Sequence, residues 1–136
     1  MREQPTAAEL IDAVSEFITR DLAPTLSGRL AFHARVAANV LAIVRRELLQ
    51  GPDADRGDAS RLAALLGHGG DPEALTEELC RRIASGEIAP DDTDLIDHLW
   101  ASTLDTPAID QPSYATYRRI IAADPPTPAA PHRGDA

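Results

Sequence analysis

The feature that most constrains the fold is the run from Arg29 to Leu49, in which Leu30, Phe32, Ala34, Val36, Ala37, Ala38, Val40, Leu41, Ile43, Val44 and Leu48 recur. At ~100° per residue these positions wrap most of a helical circumference. The segment is therefore predicted to be the longest helix and to touch neighbours on more than one side. Ser27-Gly28 opens it and Gly51-Pro52 supplies a stop signal. Its alanines should let those neighbours approach closely.

The shorter elements are set by their ends. Thr6-Ala-Ala-Glu9 has the spacing of a capping box, and Leu10, Ile11, Val14, Phe17, Ile18 and Leu22 then form one apolar stripe until Pro24. Gly51 to Ser60 reads as a loop, followed by a short helix at Arg61 to Leu66 that ends at Gly67-His68-Gly69-Gly70. Asp71-Pro72-Glu73 starts the next helix, with Leu75, Leu79 and Ile83 as its buried positions until Ser85-Gly86. Asp91 or Asp92 should cap another, carrying Leu95, Ile96, Leu99, Trp100 and Leu104 until Pro107, and a last helix spans Tyr114 to Ala122. No segment alternates like a strand. The expectation is an all-α, irregular bundle of five to six helices around a long central second helix. Residues 1–123 form one helical domain, and the Pro/Ala-rich 124–136 forms a disordered tail.

Composition narrows the function classes. The 13 basic residues are all Arg, against 22 acids, and the net charge of -9 opposes binding to nucleic acid. No apolar run approaches the ~20 residues of a membrane span. One cysteine, Cys80, excludes an internal disulfide or thiolate cage, and on a Leu-rich helix with no local His it reads as a small buried hydrophobe. The start Met-Arg-Glu-Gln-Pro has no apolar signal region behind it, so the expected location is cytoplasmic. The charge is uneven: residues 1–50 carry six Arg and six acids, whereas 51–112 carry four Arg and fourteen acids. Between Asp21 and Glu47 there is no acid, while Arg29, Arg35, Arg45 and Arg46 all fall there.

Those arginines belong to the main polar constellation, Arg29, His33, Arg35, Asn39 and Arg46, which forms two adjacent strips on the second helix. Arg29, His33, Arg35 and Asn39 offer the donors that a carboxylate or phosphate needs. The alternative is that Arg35 and its neighbours pair with Glu77, Glu78, Asp94 or Asp97 and fix helix packing. Asp94, Asp97 and His98 contain half of a general-base pair, with no nucleophile in context. His33, His68, His98 and His132 show no metal-ligand spacing, and Gly67-His68-Gly69-Gly70-Asp71 lacks the Lys of a phosphate loop. Trp100 and Leu104 read as core, the alternative being an exposed anchor for a partner, and Phe17 and Phe32 are read the same way. No catalytic residue, cofactor or metal is assigned; whether the chain is an enzyme stays open, leaning toward not, with an enzyme using His33 or His98 as a third reading behind the two given below.

The opening Arg2-Glu3-Gln4-Pro5-Thr6-Ala7-Ala8-Glu9-Leu10, the stretch Gly28-Arg29-Leu30-Ala31-Phe32-His33-Ala34-Arg35-Val36-Ala37-Ala38-Asn39-Val40-Leu41 and the late Ile109-Asp110-Gln111-Pro112-Ser113-Tyr114 resemble an uncharacterised bacterial family of small helical domains. The likeness spans about residues 2 to 119. Relatives tend to be encoded beside aminoglycoside-phosphotransferase-like kinases and acyl-CoA dehydrogenase-like proteins, which implies a companion role. Relatives also tend to have a Lys after the Leu-Asp matching Leu104-Asp105, where this chain has Thr106; an anion site using that Lys would be weakened here. The first expectation is an accessory module that docks on such an enzyme through the second helix. The second is a small-anion or acyl-group binding domain built on Arg29, His33, Arg35 and Asn39.

Overall fold

The computed structural model describes residues 4–123. Five α-helices account for its architecture, with no strand among the described residues: α1 (Ala7–Glu16), α2 (Gly28–Leu66), α3 (Pro72–Ala84), α4 (Thr93–Asp110) and α5 (Ala115–Ala123). The residues of the expected tail, 124–136, lie outside the described residues.

The helix starts follow local chemistry. The Glu9 amide donates to Thr6 Oγ1 at 3.2 Å while the Thr6 amide donates to Glu9 Oε2 at 2.7 Å, completing the capping box. Asp71 accepts from the Ala74 amide at 3.1 Å and Asp92 from the Leu95 amide at 2.9 Å, so α3 and α4 begin where their acids cap them. α2 ends at Gly67, whose φ of 81° is open to glycine without a Cβ penalty. At the end of α1 the chain widens into a π-helical turn over Phe17–Leu22 before a short 3-10 turn, Ala23–Thr25. The Ala23 amide there donates to the Ile18 carbonyl, five residues back, which eases the approach to Pro24.

Two expected stops are overridden. α2 runs unbroken for 39 residues through Gly51 and Pro52, so the predicted loop at 51–60 and the short helix at 61–66 are its second half. α4 likewise passes through Pro107 to Asp110. An interior Pro costs roughly 3 kcal/mol in lost bonding and steric strain. In α2 the two helices are tied on both sides of the break: Arg46 Nε donates to the Ile109 carbonyl before it, and Arg61 reaches Asp105 after it. Packing thus offsets a locally unfavourable residue.

α2 is the spine, touching α1, α3 and α4, while α5 touches α4. The core lies at one end of it. Leu62 and Leu66 of α2, Leu75 and Leu79 of α3 and Leu95 of α4 close on one another, with Leu65, Ile83 and Ile88 at the margin. The other end is covered far less. α1 packs there with an ion pair from Arg45 Nε to both oxygens of Asp12, at 2.7 and 2.8 Å. Between residues 4 and 50 Ala34 is the one buried side chain. The apolar circumference of this half of α2 is therefore not enclosed. Trp100, Phe17 and Phe32, expected in the core, are about half exposed, and Cys80 is exposed on α3.

Candidate functional site

The residues singled out on the second helix do not converge on one point. Arg29 Nε donates to His33 Nε2 at 3.2 Å on an exposed part of α2. Asn39, about 120° round the helix from His33 by its 3.6-residue turn, lies instead beside Arg46 and the 110–114 turn, lining a polar recess of about 250 Å³. Arg35 is exposed and makes no hydrogen bond or ion pair among the described residues. Among the described residues, the acids expected to hold these cations are engaged elsewhere or make no ion pair. Glu78 takes the second nitrogen of His68 at 2.9 Å and an ion pair from Arg82.

His68 also donates Nδ1–H to the Gly69 carbonyl at 3.1 Å. That bond, and then the Glu78 carboxylate, raises the His68 pKa above its ordinary value; the hydrogen bond from His68, with that from Arg82, lowers that of Glu78. The cluster ties the loop after α2 to the outer side of α3.

A different site forms where α2 and α4 cross. α2 contributes Asp55 and Asp58 to its walls, with Arg61 three residues further on paired to Asp58 and Asp105; α4 contributes His98, Ser102 and Asp105 at positions i, i+4 and i+7; Pro72 and Thr76 of α3 close the remaining side. The cleft holds about 620 Å³. Asp58 Oδ1 is its hub. Ser102 Oγ donates to it, Arg61 Nη2 lies 3.3 Å from it, and the same Nη2 is 3.3 Å from Asp105 Oδ2. His98 is 6% exposed, the one buried polar side chain among the described residues. Its Nδ1 is 3.8 Å from Asp58 Oδ1, beyond hydrogen-bond range, and is buried without a partner, as is Arg61 Nε.

Sequence reasoning placed His98 with Asp94, one turn earlier on the same helix; the imidazole faces α2 instead. The signal for the site is the pair of one-sided polar rows, 55-58-61 and 98-102-105; the Gly51-Pro52 stop signal hides it by predicting a loop over the first row. Ser102 and His98 both address the same Asp oxygen, and His98 does not stand between the hydroxyl and the carboxylate. That is not the relay needed to activate a serine nucleophile. Among the described residues no group of three or more His, Cys, Asp or Glu is placed to hold a metal ion.

A family model described as a domain of unknown function, DUF6285, matches residues 24–114. The chain belongs to that family. The DUF6285 match takes in all of α2, α3 and α4, hence the whole cleft, and leaves α1 outside. No curated protein and no solved structure matches the chain. No helix among the described residues is long and apolar enough to cross a membrane.

Proposed function

We propose that this chain is a non-enzymatic accessory module that docks on a larger phosphotransferase-like or acyl-CoA dehydrogenase-like enzyme through the first half of α2. One observation carries the reading. Val36, Val40, Val44 and Leu48, four residues apart along α2, are 41–50% exposed on the part that α1 leaves uncovered. Such a contiguous apolar row on a soluble helix is a docking feature rather than scattered surface. Arg29, His33 and Arg35 rim it, and no acid lies between Asp21 and Glu47. The matching partner surface is an apolar helix-binding groove with an acidic rim.

The test is co-purification of the full chain with enzymes of the two kinds, alongside a Val40→Asp/Val44→Asp variant. The expected result is a complex that the variant loses while its own unfolding midpoint holds. Recovery of neither enzyme under gentle conditions, or a variant that binds as well as the parent, overturns the reading. Concentration-dependent self-association abolished by the same variant would assign the row to a second copy and also overturn it.

The second reading, a small-anion site using Arg29, His33, Arg35 and Asn39, is supported at one place only. There Asn39 stands with Arg46 in the recess beside residues 110–114. Phosphate titration of Asn39→Ala against the parent tests it: weaker binding with unchanged stability is expected of a site.

A further inference from the structure

We propose that the cleft between α2 and α4 binds a small organic cation: a primary ammonium, carrying a short apolar body, held between His98 and the aspartates facing it. Three observations converge on this chemistry.

The first is charge. Asp55, Asp58 and Asp105 line the cleft, and the one Arg beside them, Arg61, pairs with Asp58 and Asp105 from outside the lining, so the walls are net negative and repel an anion. Asp55 makes no hydrogen bond or ion pair among the described residues, which leaves a carboxylate at the mouth with its acceptor capacity unused.

The second is the orphaned imidazole. A buried polar atom without a partner is costly and rare in a native interior. His98 Nδ1 and Asp58 Oδ1 stand 3.8 Å apart, too far to bond each other, and Nδ1 is closed to solvent, so a donor in the cleft reaches both only when the imidazole turns toward it. In its Nε2–H tautomer the imidazole offers a lone pair at Nδ1, and a carboxylate only accepts. The group that satisfies both is a multiple donor. An alkylammonium has three N–H bonds on one atom, which lets it serve His98, Asp58 and a third acceptor, Asp55, since Asp105 is already paired with Arg61.

The third is the remaining wall. Ala54 and Pro72 give the cleft apolar surface beside the acids, and its volume of about 620 Å³ falls within the roughly 300–1,000 Å³ of small-molecule sites. A bare metal ion would use none of that wall, and the donor set is not arranged for one. An amine with a few methylene groups uses both parts.

The probe is n-butylammonium, with n-butanol and butyrate as neutral and anionic controls of similar shape. Binding is followed by NMR on the full chain, through the His98 imidazole and the Ser102 amide. Saturable shifts of both are expected with butylammonium below about 10 mM, a weak-site affinity, and none with butyrate. Asp55→Asn removes a charge that holds nothing else in place, so it should weaken binding several-fold and leave the unfolding midpoint unchanged. Asp58→Asn should abolish binding, but it also releases Ser102 and Arg61, so the Asp55 variant carries the decision. Absence of saturable shifts, equal response to butanol, preference for butyrate, or parent-like affinity in Asp55→Asn would each overturn the proposal.

Discussion

Truncation of Leu62 to Ala measures how unevenly stability is spread along α2. Leu62 is 1% exposed and sits among Leu66, Leu75, Leu79 and Leu95. The change deletes three carbons, at ~0.8 kcal/mol each in transfer free energy. A cavity term adds to this, because two helices other than its own wall the space and cannot fully collapse, for a total of about 3–5 kcal/mol. Val40→Ala deletes two carbons from a side chain that is 50% exposed. Its loss should stay under about 1 kcal/mol, since half of that surface is wet already. Urea unfolding followed by far-UV circular dichroism reads both. The Leu62 variant should lose a large part of the ~5–15 kcal/mol that a domain of this kind holds, and the Val40 variant should nearly overlay the parent. Comparable losses in the two would mean that the first half of α2 is enclosed in solution. That would refute both the off-centre core and the free apolar row.

Gly51→Ala should stabilise the fold by up to about 1 kcal/mol through helix propensity, because the nearest atoms a Cβ there meets belong to the movable end of Glu47; thermal unfolding checks it. Pro52→Ala, at an exposed position inside α2, should raise the midpoint further, as it restores an amide donor to the Leu48 carbonyl. The His68–Glu78 pair gives a pH signature. With the His68 pKa raised, its contribution is fully present below the unfolded value near 6.5 and is lost as pH rises through the folded one. With the Glu78 pKa lowered, its contribution is present above 4.5 and is lost as pH falls below that. The urea midpoint of the parent should therefore fall above pH 6.5 more than that of His68→Gln. Hydrogen exchange should be faster in the α1–α2 arm, residues 7–50, than in the segments around Leu62, Leu75 and Leu95, because one buried alanine guards the arm against five core leucines at the other end.

Helix starts were legible because their causes lie within three or four residues. Thr6 finds Glu9, Asp71 finds Ala74 and Asp92 finds Leu95 whatever the rest of the chain does. The course of α2 past Pro52 was not legible, since it is decided by residues about sixty positions away, Ile109 among them. The cleft was lost by the same step. Once Asp55 and Asp58 are read as loop, nothing aligns them with His98, Ser102 and Asp105. The apolar circumference of Arg29 to Leu49 was legible as a pattern, but a pattern records that a face avoids water and does not say what covers it. Arg29, His33, Arg35 and Asn39 were correctly placed on one helix. Their division around it follows from the helical turn and the 110–114 segment, which claims Asn39 and Arg46 alone.

The break that local rules put at Gly51-Pro52 and the cleft they missed have one physical origin. A helix crossing a proline needs an outside strut, and α4 supplies it by running alongside α2 from Arg61 back to Arg46. Gly51 is buried beneath the end of that strut, beside Ile109. Struts that hold by packing alone can be apolar along the packed face, as α4 is at Leu95. The middle of α4 instead presents His98, Ser102 and Asp105 to a matching polar row on α2, and it leaves a buried imidazole nitrogen and a guanidinium nitrogen without partners. Bracing a helix requires none of those groups, and leucines in their places would brace it at lower desolvation cost. The polar rows are thus an addition to the architecture, confined to one cleft. Unsatisfied polarity concentrates at the proposed ammonium site, and unburied apolarity at the proposed docking surface on the opposite end of the same helix.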